Sequence, residues 1–431
     1  MSKTEPTESQ IPQQRPEPRQ PISLDELEKV VRKWLLIADP GLIKVVVGTV
    51  IANRMKGDPV WLFLVAAPGG TKTEIIRGLN TIEGVYQLSD LTPQTFLSGE
   101  RGSKNASLLH RIPKEKAIFT YKDFTTVLGM HQDKSQAILS QLREIYDGYA
   151  SKDFGTGERK EWKGKVGFIA GVTTVIDRYQ TVFQVLGERF IQYRPSQPNS
   201  VDVARRAMAN SGDEEAMRDE INNAFQDCIE SITIPENKPA LDETLQDKIA
   251  HLAALCVQAR SGVIREGYST REIELIPAVE LPTRLAKQLT TLMTAFRLVG
   301  CGSADTDYAL IYKIGMDSIP HKRRVILELL VSEEDAVDVA RVANVIGYPP
   351  NSTRRVLEDL AGLGLVIRQQ YGPGNADDWQ LSKLARELMM KAQPIPENIR
   401  RIFFDEVSVP EKSDASDQIS LLKGGDKYEA K

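Results

Sequence analysis

The residues best suited to chemistry lie in one segment, where an apolar run enters a turn of small residues and then Lys72 and Thr73. The segment Val60–Ile76 has the sequence VWLFLVAAPGGTKTEII. Unobstructed backbone N–H groups, a helix start, a cation and a hydroxyl are what a phosphate-binding loop requires. We therefore predict that this turn binds ATP and that Thr73 coordinates Mg²⁺. The predicted nucleotide-binding residues are Ala66, Ala67, Pro68, Gly69, Gly70, Thr71, Lys72, Thr73 and Glu74.

The loop differs from the usual pattern at two positions. Thr71 stands directly before the lysine, where glycine is usual, and Ala66 occupies the first glycine position. A side chain at position 71 restricts the backbone of the loop. The prediction therefore depends on further residues downstream.

A second candidate for the metal is Asp123, which follows the apolar run Ala117–Tyr121 and lies 50 positions after Thr73. In nucleotide-binding proteins with a phosphate loop, an acid at the end of a later strand holds the Mg²⁺ ion together with the loop hydroxyl. We predict that Thr73 and Asp123 share the metal.

Composition limits the classes of protein to consider. The chain has 431 residues, of which 41% are hydrophobic and 26% charged, with a net charge of −4. These values are typical of globular proteins and argue against a surface that binds nucleic acid all over. The scattered Cys and His residues predict neither a zinc site nor disulfides. With no apolar run of membrane length and no signal-peptide core, we predict a cytoplasmic protein without a membrane partner.

The segment between Asp123 and position 200 contains predicted strands, a predicted hairpin of unusual composition and predicted helices. Basic residues, glycines and aromatic residues alternate in the predicted hairpin Tyr149–Lys165, and the apolar strand Val166–Val172 ends in Thr173. A short helix near Val182–Leu186 precedes the sequence Gly187-Glu188-Arg189-Phe190. Helix Ser135–Tyr146 carries Glu144. The basic residues proposed to contact DNA in the hairpin are Lys152, Arg159, Lys160 and Lys163.

The order of strand, phosphate loop, strand with Asp123, strand with Thr173 and then Arg189 resembles that of the AAA+ ATPases, over roughly residues 60–299. The hairpin makes it more similar to the minichromosome-maintenance-like helicase branch, in which such a hairpin points into the pore of a hexamer. The resemblance implies that Thr173 is a first sensor and that Arg189 is an arginine finger reaching a neighbouring subunit. It also implies a second sensor arginine in a helical lid, for which Arg284 is the candidate.

One departure from that family concerns the residue after Asp123. The family pattern ends in Asp-Glu, with the Glu polarising water, and here Phe124 follows the aspartate. The base must then come from elsewhere, with Glu144 or Asp147 as candidates, or hydrolysis is slow.

The C-terminal pattern of three helices and a hairpin between residues 319 and 392 resembles a winged helix. Ser352, Thr353, Arg354 and Arg355 lie at the start of its third helix, where side chains would reach duplex DNA. The alternative is a winged helix that contacts protein. The whole chain is then predicted as an α/β protein with six parts: a disordered tail (1–22), a helical leader (23–58), an AAA+ core with a parallel sheet (59–200), a helical lid (201–318), a winged helix (319–392) and a polar tail (393–431).

These observations leave three functions open. The first is an ATPase that forms a homo-oligomer, binds single-stranded DNA in its pore and acts as a helicase, initiator or loader. The second is a nucleotide-sensing winged-helix regulator of DNA with weak or no hydrolysis, which Phe124 favours. The third, a protein remodeller, lacks an obvious substrate-recognition domain.

Overall fold

The computed structural model describes residues 20–69, 71–98, 107–155, 157–179, 188–267, 271–372 and 376–393. Most of the predicted N-terminal tail, Gly70, the predicted helix near 182–186 and the tail after 393 lie outside these residues. The strands are β1 (Trp61–Val65), β2 (Val85–Leu88), β3 (Ala117–Tyr121), β4 (Tyr149–Asp153), β5 (Arg159–Lys163), β6 (Val166–Val172), β7 (Phe190–Tyr193), β8 (Ile264–Arg265), β9 (Ile273–Leu275), β10 (Val337–Asp338), β11 (Val366–Gln369) and β12 (Asp378–Leu381).

Helices flank these strands throughout the described chain. They are α1 (Leu24–Trp34), α2 (Leu42–Arg54), α3 (Lys72–Arg77), α4 (Leu108–Arg111), α5 (Thr125–Leu128), α6 (Gln132–Tyr146), a 3₁₀ helix (Thr174–Arg178), α7 (Ser200–Ala209), α8 (Glu214–Ser231), α9 (Glu243–Arg260), α10 (Thr283–Val299), α11 (Ala304–Asp317), α12 (His321–Ser332), α13 (Val339–Ile346), α14 (Pro350–Gly362) and α15 (Lys383–Ala392).

A five-stranded parallel sheet with the order β2-β3-β6-β1-β7 organises the fold and confirms the predicted α/β class. Because all five strands run the same way, the sheet has a carboxyl edge, where the strands end, and an amino edge, where they begin. The loop after β1, Asp123 and Thr173 are all at the carboxyl edge. Arg189 precedes β7 and is at the amino edge.

Alternation along β1 divides the apolar residues between the two faces of the sheet. Leu62 and Leu64 belong to a core cluster that continues into the helices, whereas Trp61, Phe63 and Val65 belong to a second, aromatic cluster. Strands buried on both faces read as continuous apolar runs, as β1 does.

The leader is part of the core. α1 begins with the predicted capping box, in which the Ser23 hydroxyl and the Glu26 carboxylate bond each other's backbone N–H groups. Nearly all of α2 is buried, and a Cβ atom at Gly48 would lie 2.5 Å from the Phe296 ring of α10. The Asn53 side chain bonds the backbone of Val60 and so fixes the entry into β1.

The predicted hairpin and C-terminal pattern are both present. Strands β4 and β5 pair antiparallel, with Ala150 opposite Trp162 and both side chains buried. Three helices, α12 to α14, precede a three-stranded antiparallel sheet of order β10-β12-β11, and α15 follows.

Candidate nucleotide-binding site

The loop after β1 begins from a fixed point at the carboxyl edge. The Ala66 N–H donates to the carbonyl of Val172 at 3.1 Å, which extends the pairing of β1 with β6 by one residue. Ala67, Pro68 and Gly69 are exposed, and Gly69 has φ +75°, a left-handed conformation that favours glycine. The loop is therefore an exposed turn between a buried strand and a helix start.

Lys72 is buried, with 6% of its surface exposed, and it lies against the loop. Its ammonium donates to the carbonyls of Ala66 at 2.7 Å and Ala67 at 3.0 Å. Burial lowers the pKa of Lys72, while the nearby charge of Asp123 acts in the opposite direction. A cation held by neutral carbonyls under an exposed loop is suited to bind an anion there.

The neighbouring residues of the predicted loop have different roles. Thr71 occupies the N-cap position of α3 and its hydroxyl donates to the Leu36 carbonyl at 3.4 Å. Thr73 is half-buried in the first turn of α3. The Glu74 carboxylate pairs with Arg77 and, at 3.3 Å, with Arg218 of α8. It is engaged with the helical segment, so its predicted contact with the nucleotide would require breaking these pairs.

Asp123 and Thr173 end neighbouring strands and are joined by a residue that sequence reasoning missed. The backbone N–H of Thr125 donates to the exposed Asp123 carboxylate at 3.0 Å. The Thr125 hydroxyl accepts from the Thr173 N–H at 3.0 Å and donates to the Thr173 hydroxyl at 3.1 Å. One carboxylate and two hydroxyl groups are thereby held at the edge that carries Lys72.

Phe124 has a structural reason to be apolar. Its side chain is fully buried, its N–H donates to the Gly171 carbonyl at 2.7 Å, and its ring centroid is 5.0 Å from that of Phe63. The position after Asp123 therefore points into the aromatic cluster. A carboxylate at this position would be buried without a partner, which is costly.

A cavity of about 220 Å³ adjoins the loop. Besides Ala66–Gly69, Thr71 and Lys72, its lining comes from the turn before α2 and from the segment that follows β7, with Leu36, Asp39, Pro198 and Val203 among the residues. Sequence reasoning missed both segments, although the Asp39-Pro40-Gly41 turn was visible as a break between helices.

Asp39 connects the two segments that line this cavity. Its carboxylate is buried and accepts from the Tyr193 hydroxyl at 2.5 Å, the Gly41 N–H at 2.8 Å and the Ser196 N–H at 3.0 Å. Burial and the Asp39 charge raise the pKa of Tyr193. The satisfied carboxylate fixes the leader turn against the end of β7, so the cavity has a rigid wall.

The two predicted arginines lie at the amino edge. Arg189 donates to both carboxylate oxygens of Asp147 at 3.0 and 3.1 Å, and Arg284 donates to the Glu188 carbonyl at 3.2 Å. Both guanidinium groups lie near the Tyr146 ring, with centroid distances of 5.6 and 5.8 Å. Burial and the neighbouring Arg284 charge lower the pKa of Arg189.

The exposed Glu144 is close to this amino-edge group, because it is two residues before Tyr146, whose ring contacts Trp61 at the start of β1. β1 has five residues, and a strand rises about 3.3 Å per residue, so the two edges are roughly 15 Å apart. Within one chain, the structure does not bring Arg189, Arg284, Glu144 or Asp147 to the loop.

Most of the hairpin cations predicted to bind DNA already have protein contacts. Lys152 donates to the Pro93 carbonyl at 3.0 Å, Arg159 pairs with Glu161 at 2.7 Å, and Lys160 is buried. Lys163 is exposed, with its ammonium 5.7 Å from the Tyr149 ring centroid.

In α14, too, some of the residues predicted to contact DNA are buried or half-buried and one is exposed. Thr353 is buried and its hydroxyl donates to the Pro349 carbonyl at 3.2 Å, so its side chain faces the protein interior. Ser352 and Arg355 are half-buried, and Arg354 is exposed. The Arg265 guanidinium of β8 covers one side of this helix, donating to the Arg355 carbonyl at 2.8 Å and pairing with Asp359 at 2.7 Å.

Comparison with the models of known protein families finds no match, and comparison with curated proteins finds none either. Among the helices of the described residues, none is both long and apolar enough to cross a membrane.

Proposed function

We propose that this chain binds ATP with Mg²⁺ at the loop Ala66–Thr73 and hydrolyses it as an AAA+ ATPase that acts on DNA. The observation that carries the proposal is the convergence of Lys72, Asp123 and the Thr173–Thr125 pair at the carboxyl edge, next to a cavity. Ligands of open parallel sheets bind outside the carboxyl ends of the strands.

The residues at the carboxyl edge of the sheet are chemically suited to bind ATP with Mg²⁺. Lys72 supplies a positive charge for the phosphates, and the Thr73 hydroxyl and the Asp123 carboxylate supply the oxygen ligands that Mg²⁺ prefers. The cavity beside the loop, about 220 Å³, is suited to the base, with Leu36 and Val203 as apolar walls. Bound ATP would supply the phosphoryl group that is transferred to water, and Mg²⁺ would neutralise the charge on the phosphate oxygens.

The amino-edge arginines have a place in this proposal only between copies of the chain. Arg189 and Arg284 lie together, roughly 15 Å from the loop of their own chain, so in an oligomer they would act on the nucleotide of a neighbour. The three helices and antiparallel sheet at the C-terminus support a winged helix in the same proposal, with Arg354 as the exposed cation of α14.

A nucleotide-sensing regulator of DNA is the second candidate, and the burial of Phe124 favours it. This position cannot present a carboxylate to water, so hydrolysis must use another group. Under this alternative, ATP changes only the assembly or DNA affinity of the chain.

ATP binding and turnover by the purified chain, each measured with and without single-stranded DNA, test the proposal. We expect ATP to bind in the micromolar range with Mg²⁺ and single-stranded DNA to accelerate phosphate release. Binding without turnover would favour the regulator. Binding that is unchanged in Lys72→Ala and in Asp123→Ala would contradict the site itself.

A further inference from the structure

A second, larger cavity lies between the carboxyl edge of the sheet and the C-terminal helices. Its volume is about 940 Å³, and Pro195, Ser196 and Gln197 line both this cavity and the smaller one beside the loop. We call it the interdomain cleft. Val65 and the 3₁₀ helix form the core wall, while the first turn of α12 and one face of α14 form the opposite wall.

Several cations at the interdomain cleft are neutralised by carboxylates of the protein. Arg194 binds both carboxylate oxygens of Asp177 at 2.7 and 2.9 Å. The Asp317 carboxylate is fully buried and pairs with Lys313 at 2.9 Å and with Arg324. These charges neutralise one another and join the core to α12, so they are structural.

Other cations of the cleft are not neutralised in this way. Arg178 is exposed on the core wall, and Lys322 is half-buried on the opposite wall. In the described parts of the chain, no carboxylate within ion-pair distance accompanies either of them. The two walls therefore present positive charge to the same space.

The start of α12 is electrostatically unfavourable by itself. Arg323 and Arg324 of its first turn are paired with Asp359 and Asp317, whereas Lys322 has no such partner in the described contacts. The turn has no acidic residue and no side-chain cap from Pro320. Because the positive end of a helix dipole repels a cation, an anion in the cleft would relieve the repulsion of Lys322. The arrangement thus favours an anionic ligand.

An aromatic ring accompanies these charges. The Lys322 ammonium lies 4.2 Å from the centroid of the Tyr348 ring, and both residues line the cleft. Cations that follow a backbone together with an aromatic stacking surface are the combination used to bind single-stranded nucleic acid. A volume near 940 Å³ holds a few nucleotides of one strand. We expect a duplex, whose major groove alone is about 12 Å wide, to be too large for this cleft.

We propose that the interdomain cleft binds single-stranded nucleic acid, with Arg178 and Lys322 contacting phosphates from opposite walls and Tyr348 stacking on a base. This inference rests on the proposed action on DNA and moves the contact away from the hairpin, where Lys152, Arg159 and Lys160 are already engaged. Because Pro195–Gln197 separate the two cavities, a strand in the cleft would lie beside the nucleotide.

The test measures the affinity of the full chain for fluorescently labelled oligo(dT) by anisotropy, without nucleotide, over a salt series. The double variant Arg178→Ala with Lys322→Ala is expected to bind at least about tenfold more weakly at low salt. Its plot of log affinity against log salt should be shallower by about 1.4, for two lost phosphate contacts. Tyr348→Ala should weaken binding and Tyr348→Phe should preserve it.

The matched control is Lys29→Ala with Lys134→Ala, which removes two exposed cations outside the cleft. Equal weakening by the control and the cleft variant would overturn the inference, as would equal competition by polyglutamate or tighter binding of a duplex of the same length. Equal binding of oligo(U) would support a site that accepts either sugar. ATP binding by the wild-type chain is measured separately, so a chain that binds ATP but no oligo(dT) overturns this inference and leaves the nucleotide site standing. Thermal unfolding verifies that every variant is folded.

Discussion

The two edges of the five-stranded sheet both carry charged side chains, but their partners differ. At the carboxyl edge, the Lys72 ammonium bonds only neutral carbonyls in the contacts described, and Asp123 is exposed. At the amino edge, Arg189 is bound by Asp147, and the buried Arg260 pairs with Glu188 at 3.5 Å. Charges without a counter-charge can receive a ligand, whereas charges already paired stabilise the fold.

The difference shows why residue type alone could not separate charges that have a protein counter-charge from charges that have none. Arg189 and Lys72 are both buried cations next to a strand of the same sheet. Only their partners distinguish them: Arg189 pairs with Asp147, the residue directly after α6, and Lys72 bonds carbonyls of the loop itself. The amino-edge arginines could still act on a neighbouring copy after exchanging their protein partners for phosphate oxygens.

The largest expected effect belongs to Arg189→Ala. If the guanidinium serves a neighbour's nucleotide, hydrolysis falls by about 10³–10⁵, as for other arginine fingers. Asp147→Ala breaks the same ion pair but keeps the guanidinium, so it is the matched control and should lose far less activity. Both should lose about 1–3 kcal/mol of unfolding free energy, below the value for a fully buried pair, because the Asp147 side chain is 52% exposed.

Mixing tests whether that action crosses between chains. Lys72→Ala and Arg189→Ala chains, each inactive alone, should regain activity together, since one chain supplies the loop and the other the arginine. If the mixture assembles and shows no gain in phosphate release, Arg189 is a structural residue only.

Phe124→Glu tests whether the position after Asp123 at the carboxyl edge can carry a carboxylate. This substitution introduces the glutamate that AAA+ ATPases carry after the aspartate, and it buries a carboxylate among Phe63, Phe168 and Phe190. We expect the free energy of unfolding, measured in urea, to fall by more than about 4 kcal/mol, from lost packing and the buried charge. Phe124→Leu, which keeps the site apolar, should lose much less. A stable Phe124→Glu protein with faster hydrolysis would show that this position can reach the nucleotide.

Lys72→Ala is expected to lower ATP turnover by about 10²–10³, the effect of removing one preorganised donor from a site of developing charge. Lys122→Ala is the matched control, because Lys122 follows β3 at the same edge and lies outside the loop. An equal loss of ATP turnover in the two variants would mean that the carboxyl edge promotes turnover through its overall positive charge and not through Lys72 in particular. Turnover is measured as released phosphate at saturating Mg²⁺.

Local sequence patterns predicted the helices and strands. The contact partners of individual side chains, by contrast, depend on residues far away in the sequence. The capping box at Ser23, the apolar runs of β1 and β6 and the glycine-flanked hairpin are encoded within a few residues, and each is present in the structure. Asp39, by contrast, acquires its role from Tyr193, which is 154 positions away. No local pattern could predict that contact.

The same reason accounts for the site residues that are engaged elsewhere. Glu74 has the right spacing for the loop but pairs with Arg218, 144 positions away, and Thr353 faces inward once α14 packs. A spacing rule places a residue on an element. The packing of that element decides which face reaches a ligand.

The smallest effect concerns a cation at the amino edge that has no close carboxylate in the described contacts. Lys165 precedes β6, and its ammonium donates to the Met55 carbonyl at 2.6 Å. Burial lowers the pKa of Lys165 from 10.5 to about 8, against the attraction of Asp58. Between about pH 8 and 10.5 the unfolded chain therefore binds the proton more than the folded chain does. Stability from this group rises with pH across that window.

Lys165→Met removes the titration and keeps the aliphatic volume. The difference in unfolding free energy between wild type and Lys165→Met should change in favour of wild type by at most about 1.4 kcal/mol per pH unit between pH 8 and 10.5. It should be flat below pH 7, where both states are protonated. Lys163→Met, which removes an exposed lysine of β5, is the matched control for the loss of a lysine side chain. A flat difference for Lys165 across the whole range would mean that its ammonium remains solvated, and the amino edge would then have a cation as available as Lys72.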